Sequence, residues 1–237
     1  MSKCVIALMD PSMEGQSLLP WKNKGYECWS YHPLHEGEGE TDQGIRTCNL
    51  KTQDNYLVDI SDYRMKLVEK HYDKVAFTAI FPPHANLSYM GSQWWGKKAS
   101  TNPDFQEESI ALAMTLRTLA MNWVSPFYIE NPVGVLSKQH YLGQECMMVE
   151  PYDFGGYLED SDYEVYGTES VLPKGDWYRR RRSVWTGNDL KLPEKKKADC
   201  LEYGIQSVIT NKRKDKRILQ DYPPRGFNKA ICEVNHG

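Results

Sequence analysis

Two proline-bearing segments, each following a short apolar run, constrain this chain more than anything else in its sequence. Val75-Ala76-Phe77-Thr78-Ala79-Ile80 leads into Phe81-Pro82-Pro83-His84, and Pro126-Phe127-Tyr128-Ile129 leads into Glu130-Asn131-Pro132-Val133-Gly134. Continuous apolar runs of this length, bounded by turn residues, read as buried strands. Between them, residues 107–123 carry Ile110, Met114, Leu116, Leu119 and Met121 as an apolar stripe on good helix formers, which predicts a helix. Strand, helix, strand is the unit of a parallel sheet. It sets a Pro-rich loop and a carboxylate side by side at the carboxyl ends of two strands, where open α/β sheets bind ligands.

The rest of the chain extends the same pattern. Residues 4–9 read as a first strand, followed by the loop 10–17, a short helix over 18–24 and Gly25 as its stop. Residues 26–31 read as a second strand and 32–44 as a polar, Gly-rich loop. Residues 57–60 close a short strand or turn, and 63–71 read as a helix. A long loop is expected over 84–105, with Trp94 and Trp95 near its middle. Residues 183–186 suit a further strand, 191–197 a polar loop and 228–234 a terminal helix. The predicted fold is α/β and Rossmann-like: a mainly parallel sheet, helices on both faces and an irregular C-terminal part. One domain spans 1–237, with 137–182 as an irregular insertion.

Composition excludes several classes. The chain is 40% apolar and 26% charged, as in a soluble globular protein. No segment approaches the roughly 20 apolar residues of a membrane span. The apolar run at the N-terminus is too short for a signal peptide and ends at Asp10. Six scattered cysteines without a C-x-x-C spacing read as reduced thiols, so a cytoplasmic protein is expected and a structural zinc site is not. Net charge is −3, so no global field draws the chain onto DNA, and nucleic-acid contact needs local patches. Arg179-Arg180-Arg181-Arg182, Lys195-Lys196-Lys197 and Lys212-Arg213-Lys214 are the candidates for phosphate contact, against a plain solvated surface. Asp10, His32, His35 and His84 fall on loops that a parallel sheet brings together. As loop histidines without diagnostic spacing they are expected to be solvated, and no metal is expected.

The order of these parts resembles the DNA cytosine-C5 methyltransferases, especially their small phage-type members. Residues 5–16 match the first strand and cofactor loop, and Val58-Asp59-Ile60 the segment facing the cofactor's adenine. Phe81-Pro82-Pro83-His84 matches the nucleophile loop, with Leu87-Ser88 at the family's spacing. Ile129-Glu130-Asn131-Pro132 matches the loop whose glutamate holds the cytosine. Arg182-Ser183-Val184-Trp185-Thr186 matches a later strand, and Pro223-Pro224-Arg225-Gly226-Phe227 the closing segment. The resemblance implies a methyltransferase fold, DNA modification and S-adenosylmethionine as cofactor, with Asp10, Glu14, Gly15 and Asp59 on its side. It implies a pyrimidine base, in a nucleotide or DNA, held by Pro83, Ser88, Asn131 and Arg182, with His84 and Glu130 as the catalytic pair. Trp94, read from its place in the long loop, either stacks on a base or anchors that loop on the core, and anchoring is the expected role.

Three departures fall in functional places. His84 stands where the family has a nucleophilic Cys, and imidazole is a weak nucleophile toward ring carbon; it serves better as an acid or base. The loop 10–17 holds one glycine, Gly15. The end of the second strand offers His32, Pro33 and Leu34 in place of an acid for ribose hydroxyls. The segment 137–182 is short for a target-recognition region, which favours a nucleotide, a single strand or DNA presented by a partner over unaided duplex reading. The alternative is a catalytically inactive nucleotide- or nucleic-acid-binding protein derived from a methyltransferase. A metal-dependent enzyme using the histidines is a weaker third.

Overall fold

In the computed structural model the described residues are 3–12, 15–50, 52–53, 56–57, 60–138, 142–143, 147–160, 162, 176–199, 203–204 and 222–237. The main sheet contains Cys4–Leu8 (β1), Glu27–His32 (β2), Gly39–Glu40 (β3), Arg46–Asn49 (β4), Val75–Ile80 (β5), Phe127–Pro132 (β6), Met147–Val149 (β7) and Arg182–Gly187 (β8). Their order is β3-β4-β2-β1-β5-β6-β8-β7. Strands β1, β2, β4, β5 and β6 run parallel. Strand β3 is antiparallel to β4, and β8 is antiparallel to both β6 and β7. The chain therefore has a Rossmann-like α/β fold, and the parallel strands end on one common edge.

Helices on both faces follow from the period of two along β1, which is buried at every position. Cys4, Ile6 and Leu8 pack with Leu67 of Ile60–His71 and with Ile110, Ala113, Leu116 and Leu119 of Phe105–Asn122. Val5 and Ala7 pack on the other face with Leu19 and Trp21 of Leu19–Asn23 and with Phe227 and Ile231 of Arg225–Asn235. Met114 and Met121 are exposed rather than part of the apolar stripe, because the buried face follows the spacing 109, 112, 113, 116, 119, 120.

Other expectations are refined. The loop 84–105 is largely helical: 3-10 turns at His84–Asn86 and Tyr89–Trp94 are followed by the helix Trp95–Thr101. Strand β4, Arg-Thr-Cys-Asn, follows the polar loop and is itself polar and only half-buried, so no apolar run marks it in the sequence. The stretch 137–182 is not an insertion throughout, since β7 joins the main sheet through β8. Among the described residues no helix is long and apolar enough to cross a membrane.

One polar group lies deep in the first core. His71 is buried, with Tyr31 Oη 2.6 Å from its Nε2 and Cys4 Sγ 3.7 Å from its Nδ1. Burial first, then the nearby Lys70 and Lys74 charges, push its pKa from 6.5 down to about 4. The unfolded chain therefore binds the extra proton near pH 6.5, while the folded one resists it until about 4. Stability from this group is complete above pH 6.5 and falls as pH drops towards 4, by about 3 kcal/mol in total. Urea denaturation of wild type and His71→Leu at pH 7, 5.5 and 4 checks this: the difference between the two should shrink by about that amount as the pH falls.

Candidate functional site

The carboxyl edge of β1, β2, β5 and β6 opens into a cleft of about 240 Å³. Pro82, Pro83 and His84 form one wall, Glu130, Asn131 and Arg182 the floor, and Met9, Pro11 and His32 the far side. The sequence-predicted Pro83, His84, Glu130, Asn131 and Arg182 thus come together.

The two motifs are tied backbone to backbone. Val135 N–H donates to Leu87 O at 2.8 Å, Tyr89 N–H donates to Val133 O at 3.3 Å, and Ser88 bridges Gly134. A Cβ on Gly134 would stand 1.9 Å from Leu87 O, so the approach requires glycine. Asn131 Nδ2 adds a bond to Pro82 O at 2.8 Å. Its Oδ1 is buried and has no hydrogen-bond partner among the described residues. Pro83 is extended, at φ −56° and ψ 117°, and leads into the His84 turn. The His84 carbonyl accepts from Leu87 and Ser88 N–H, while its half-buried ring lines the cleft.

Glu130 and Arg182 form the floor through sheet register. Glu130 lies opposite Val184, which puts Arg182 diagonally across the antiparallel pair on the same face. Arg182 Nη1 donates to Glu130 Oε1 at 2.8 Å, with the two side chains 3% and 2% exposed. Nη2 donates to Tyr222 O at 3.1 Å. The sequence suggested both residues but not their pairing. It also gave no sign of Met9, whose φ of 62° is left-handed and which lines the cleft at the end of β1.

The expected cofactor side is built differently. Asp10 is fully buried and turned away from the cleft. Its Oδ1 accepts from Ser12 N–H at 2.9 Å and Ser12 Oγ at 2.6 Å, and its Oδ2 from Ser17 N–H at 3.1 Å and from Ser17 Oγ. It organises the loop and is not a ligand-facing acid. Gly15, at φ +70°, lets that loop close on the sheet: a Cβ would stand 3.0 Å from Ile45 and 3.1 Å from Ser30. The glycine serves packing rather than approach to a ligand. Glu14 and Asp59 lie outside the described residues.

At the end of β2, His32 Nδ1 accepts from Leu34 N–H at 3.2 Å. Burial, and then the His35 charge, lower its pKa against an opposing pull from Asp10. Burial also lowers that of His35, whose ring centroid is 5.8 Å away. The neutral His32 therefore carries its proton on Nε2. Among the described residues, those lining this side of the cleft include no carboxylate. His32 and His84 line the same cleft, His35 lies beside His32, and the charge of the buried Asp10 acts on both His32 and His35. Among the described residues no set of three or more His, Cys, Asp or Glu is placed to share a metal ion.

No described thiol reaches the cleft either. Cys4, Cys28 and Cys232 are buried. Burial pushes the Cys4 thiol up to about 11 and the Cys28 and Cys232 thiols up to about 12.

Two candidate base contacts lie beside the cleft rather than in it. Ser88 Oγ caps the turn Tyr89–Trp94 by accepting from Met90 N–H at 3.3 Å. It lines a neighbouring cleft of about 350 Å³ with Tyr89, Arg180 and Arg181. Arg179 and Arg181 both reach Glu150, at 3.7 Å and 3.3 Å. Trp94 is 57% exposed and lines a third cleft.

No family model matches the chain, and no curated protein does. Among solved structures, a deacetylase triple mutant (Orf2*T) involved in a teicoplanin biosynthetic pathway overlaps 79% of this chain and 100% of its own. The TM-score is 0.39 and the identity 8%, a likeness too slight to carry a functional argument.

The buried pair makes a direct prediction. Arg182→Met strands the Glu130 carboxylate and should cost roughly 3–5 kcal/mol of stability. Adding Glu130→Gln should recover most of that loss, as read by urea denaturation of the single and double variants.

Proposed function

We propose that this protein binds a pyrimidine base, presented by a nucleotide or by DNA, in the cleft between the Pro82-Pro83-His84 loop and Glu130. The observation that carries the reading is the buried Glu130–Arg182 pair at the carboxyl edge of the sheet. A cytosine edge offers an amino donor beside ring and carbonyl acceptors. The Glu130 carboxylate and the Asn131 Oδ1 accept, and the Arg182 guanidinium donates, so the floor complements that edge. Pro83 lines the cleft and offers an apolar ring for a planar base to lie against.

The sheet supports descent from a methyltransferase. Its parallel strands follow the order β4-β2-β1-β5-β6, and the reversed β8 is inserted between β6 and β7. That arrangement agrees with the family the motifs resemble.

Chemistry is a separate matter. Cytosine-C5 transfer begins with a thiolate on ring carbon, and the described residues lining the cleft include no cysteine. His84 lines the cleft, and an imidazole there supports proton exchange with a bound base. Binding without methyl transfer is the reading that this described lining favours.

Calorimetric titration tests it. Deoxycytidine monophosphate should bind the wild type, and Glu130→Gln should weaken binding roughly tenfold or more. S-adenosylmethionine should give no heat. A folded wild type that ignores the nucleotide overturns the reading.

A further inference from the structure

The third cleft, of about 470 Å³, is lined by Trp94 and Phe105 with Lys97, Lys98, Asn86 and Asn102. The base-binding reading leaves it unused. Its aromatic ring is presented to solvent: Trp94 is 57% exposed, although indoles are normally largely covered. The lining's charged residues are both lysines. Lys98 is committed, donating to Ala85 O at 3.0 Å and to Asn86 Oδ1 at 2.5 Å. Lys97 is exposed on the outer rim of the same helix, Trp95–Thr101.

The position of this cleft matters as much as its lining. Ala85 belongs to the base cleft and Asn86 to the Trp94 cleft. The two are separated by the single 3-10 turn His84–Asn86, a wall about 6 Å long at the usual rise of such a turn. That is a short step for a polynucleotide chain. An exposed aromatic face with cations beside it is the means by which proteins hold successive bases of a single strand: the ring stacks on any base and the cation meets the backbone. A duplex does not offer such a base, because its bases are already stacked on one another.

We propose that the Trp94 cleft is a second nucleotide subsite, so that the ligand is a single-stranded polynucleotide that places one pyrimidine over Glu130 and its neighbour on Trp94. The proposal deepens the base-binding reading and rests on it for the first nucleotide only. Stacking on Trp94 is indifferent to base identity, while the Glu130 cleft selects the pyrimidine. Lys97 faces the phosphate of the stacked nucleotide.

The test compares labelled hexamers of deoxycytidine, cytidine and deoxyadenosine, a duplex of the same length and deoxycytidine monophosphate. Ligands are titrated against wild type, Trp94→Ala, Trp94→Phe, Lys97→Gln and Glu130→Gln. The deoxycytidine hexamer should bind more tightly than the mononucleotide and than the duplex. Trp94→Ala should lose roughly 5- to 150-fold for the hexamer, leave the mononucleotide unchanged and keep the wild-type thermal midpoint. Trp94→Phe should retain most of the affinity. Lys97→Gln should reduce the slope of log affinity against log salt by about 0.7. The two cytosine hexamers separate DNA from RNA as the source of the strand, and either supports the subsite.

If Trp94→Ala weakens the hexamers while the mononucleotide never binds, the subsite stands and the Glu130 reading fails. If the mononucleotide binds through Glu130 and Trp94→Ala leaves the hexamers unaffected, the subsite is overturned, and the exposed indole belongs to a protein contact instead. A wild type that binds no hexamer overturns it as well.

Discussion

The candidate site depends on a charge pair that is almost wholly buried at the floor of the cleft. Moving a carboxylate and a guanidinium out of solvent costs several kcal/mol each, and their attraction offsets this only when the geometry is held rigidly. Here the sheet holds it. Glu130 and Arg182 sit on adjacent antiparallel strands, diagonal in register and on one face, with the second guanidinium arm anchored on a backbone carbonyl. Because β8 runs against β6, the start of one strand meets the end of the other, and both side chains arrive at the edge where the parallel strands stop. A pair so placed stabilises the fold poorly compared with apolar packing. Its value lies in presenting an acceptor and a donor to whatever enters the cleft.

The loops around that pair are fastened to one another before any ligand arrives. Gly134 lies against the Leu87 backbone where no side chain fits, and Asn131 bonds the Pro82 carbonyl. Pro82 and Pro83 restrict the backbone at the opposite wall. The cleft is thus preorganised on the side of the Pro82-Pro83 and Glu130-Asn131 loops. On the far side the same economy leads elsewhere: Asp10 and Gly15 are used to fold the loop onto β2, and His32 closes the end of that strand.

Much of this was legible in the sequence, and the failures have physical causes. Buried parallel strands leave uninterrupted apolar runs, so β1, β5 and β6 could be read directly, and the Pro-Pro and Glu-Asn-Pro motifs could be placed at their ends. Strand β4 was missed because a half-buried polar strand carries no such run. Met114 and Met121 misled because Met fits either environment and spacing alone decides. Asp10 looked like a ligand group because sequence shows a carboxylate after a strand but not which hydroxyls turn to meet it. The Glu130–Arg182 pair was hidden because the two residues are far apart in the chain and joined only by strand register. Trp94 was legible as a base-stacking or loop-anchoring ring, but its cleft emerges only when the segment after His84 folds into consecutive short helical turns.

The most direct test of this account is a crystal structure of the protein with deoxycytidine monophosphate. The account predicts the base in the cleft, its ring against Pro83 and its amino edge within hydrogen-bonding distance of Glu130. A base bound elsewhere, with the Glu130–Arg182 floor untouched, would contradict it.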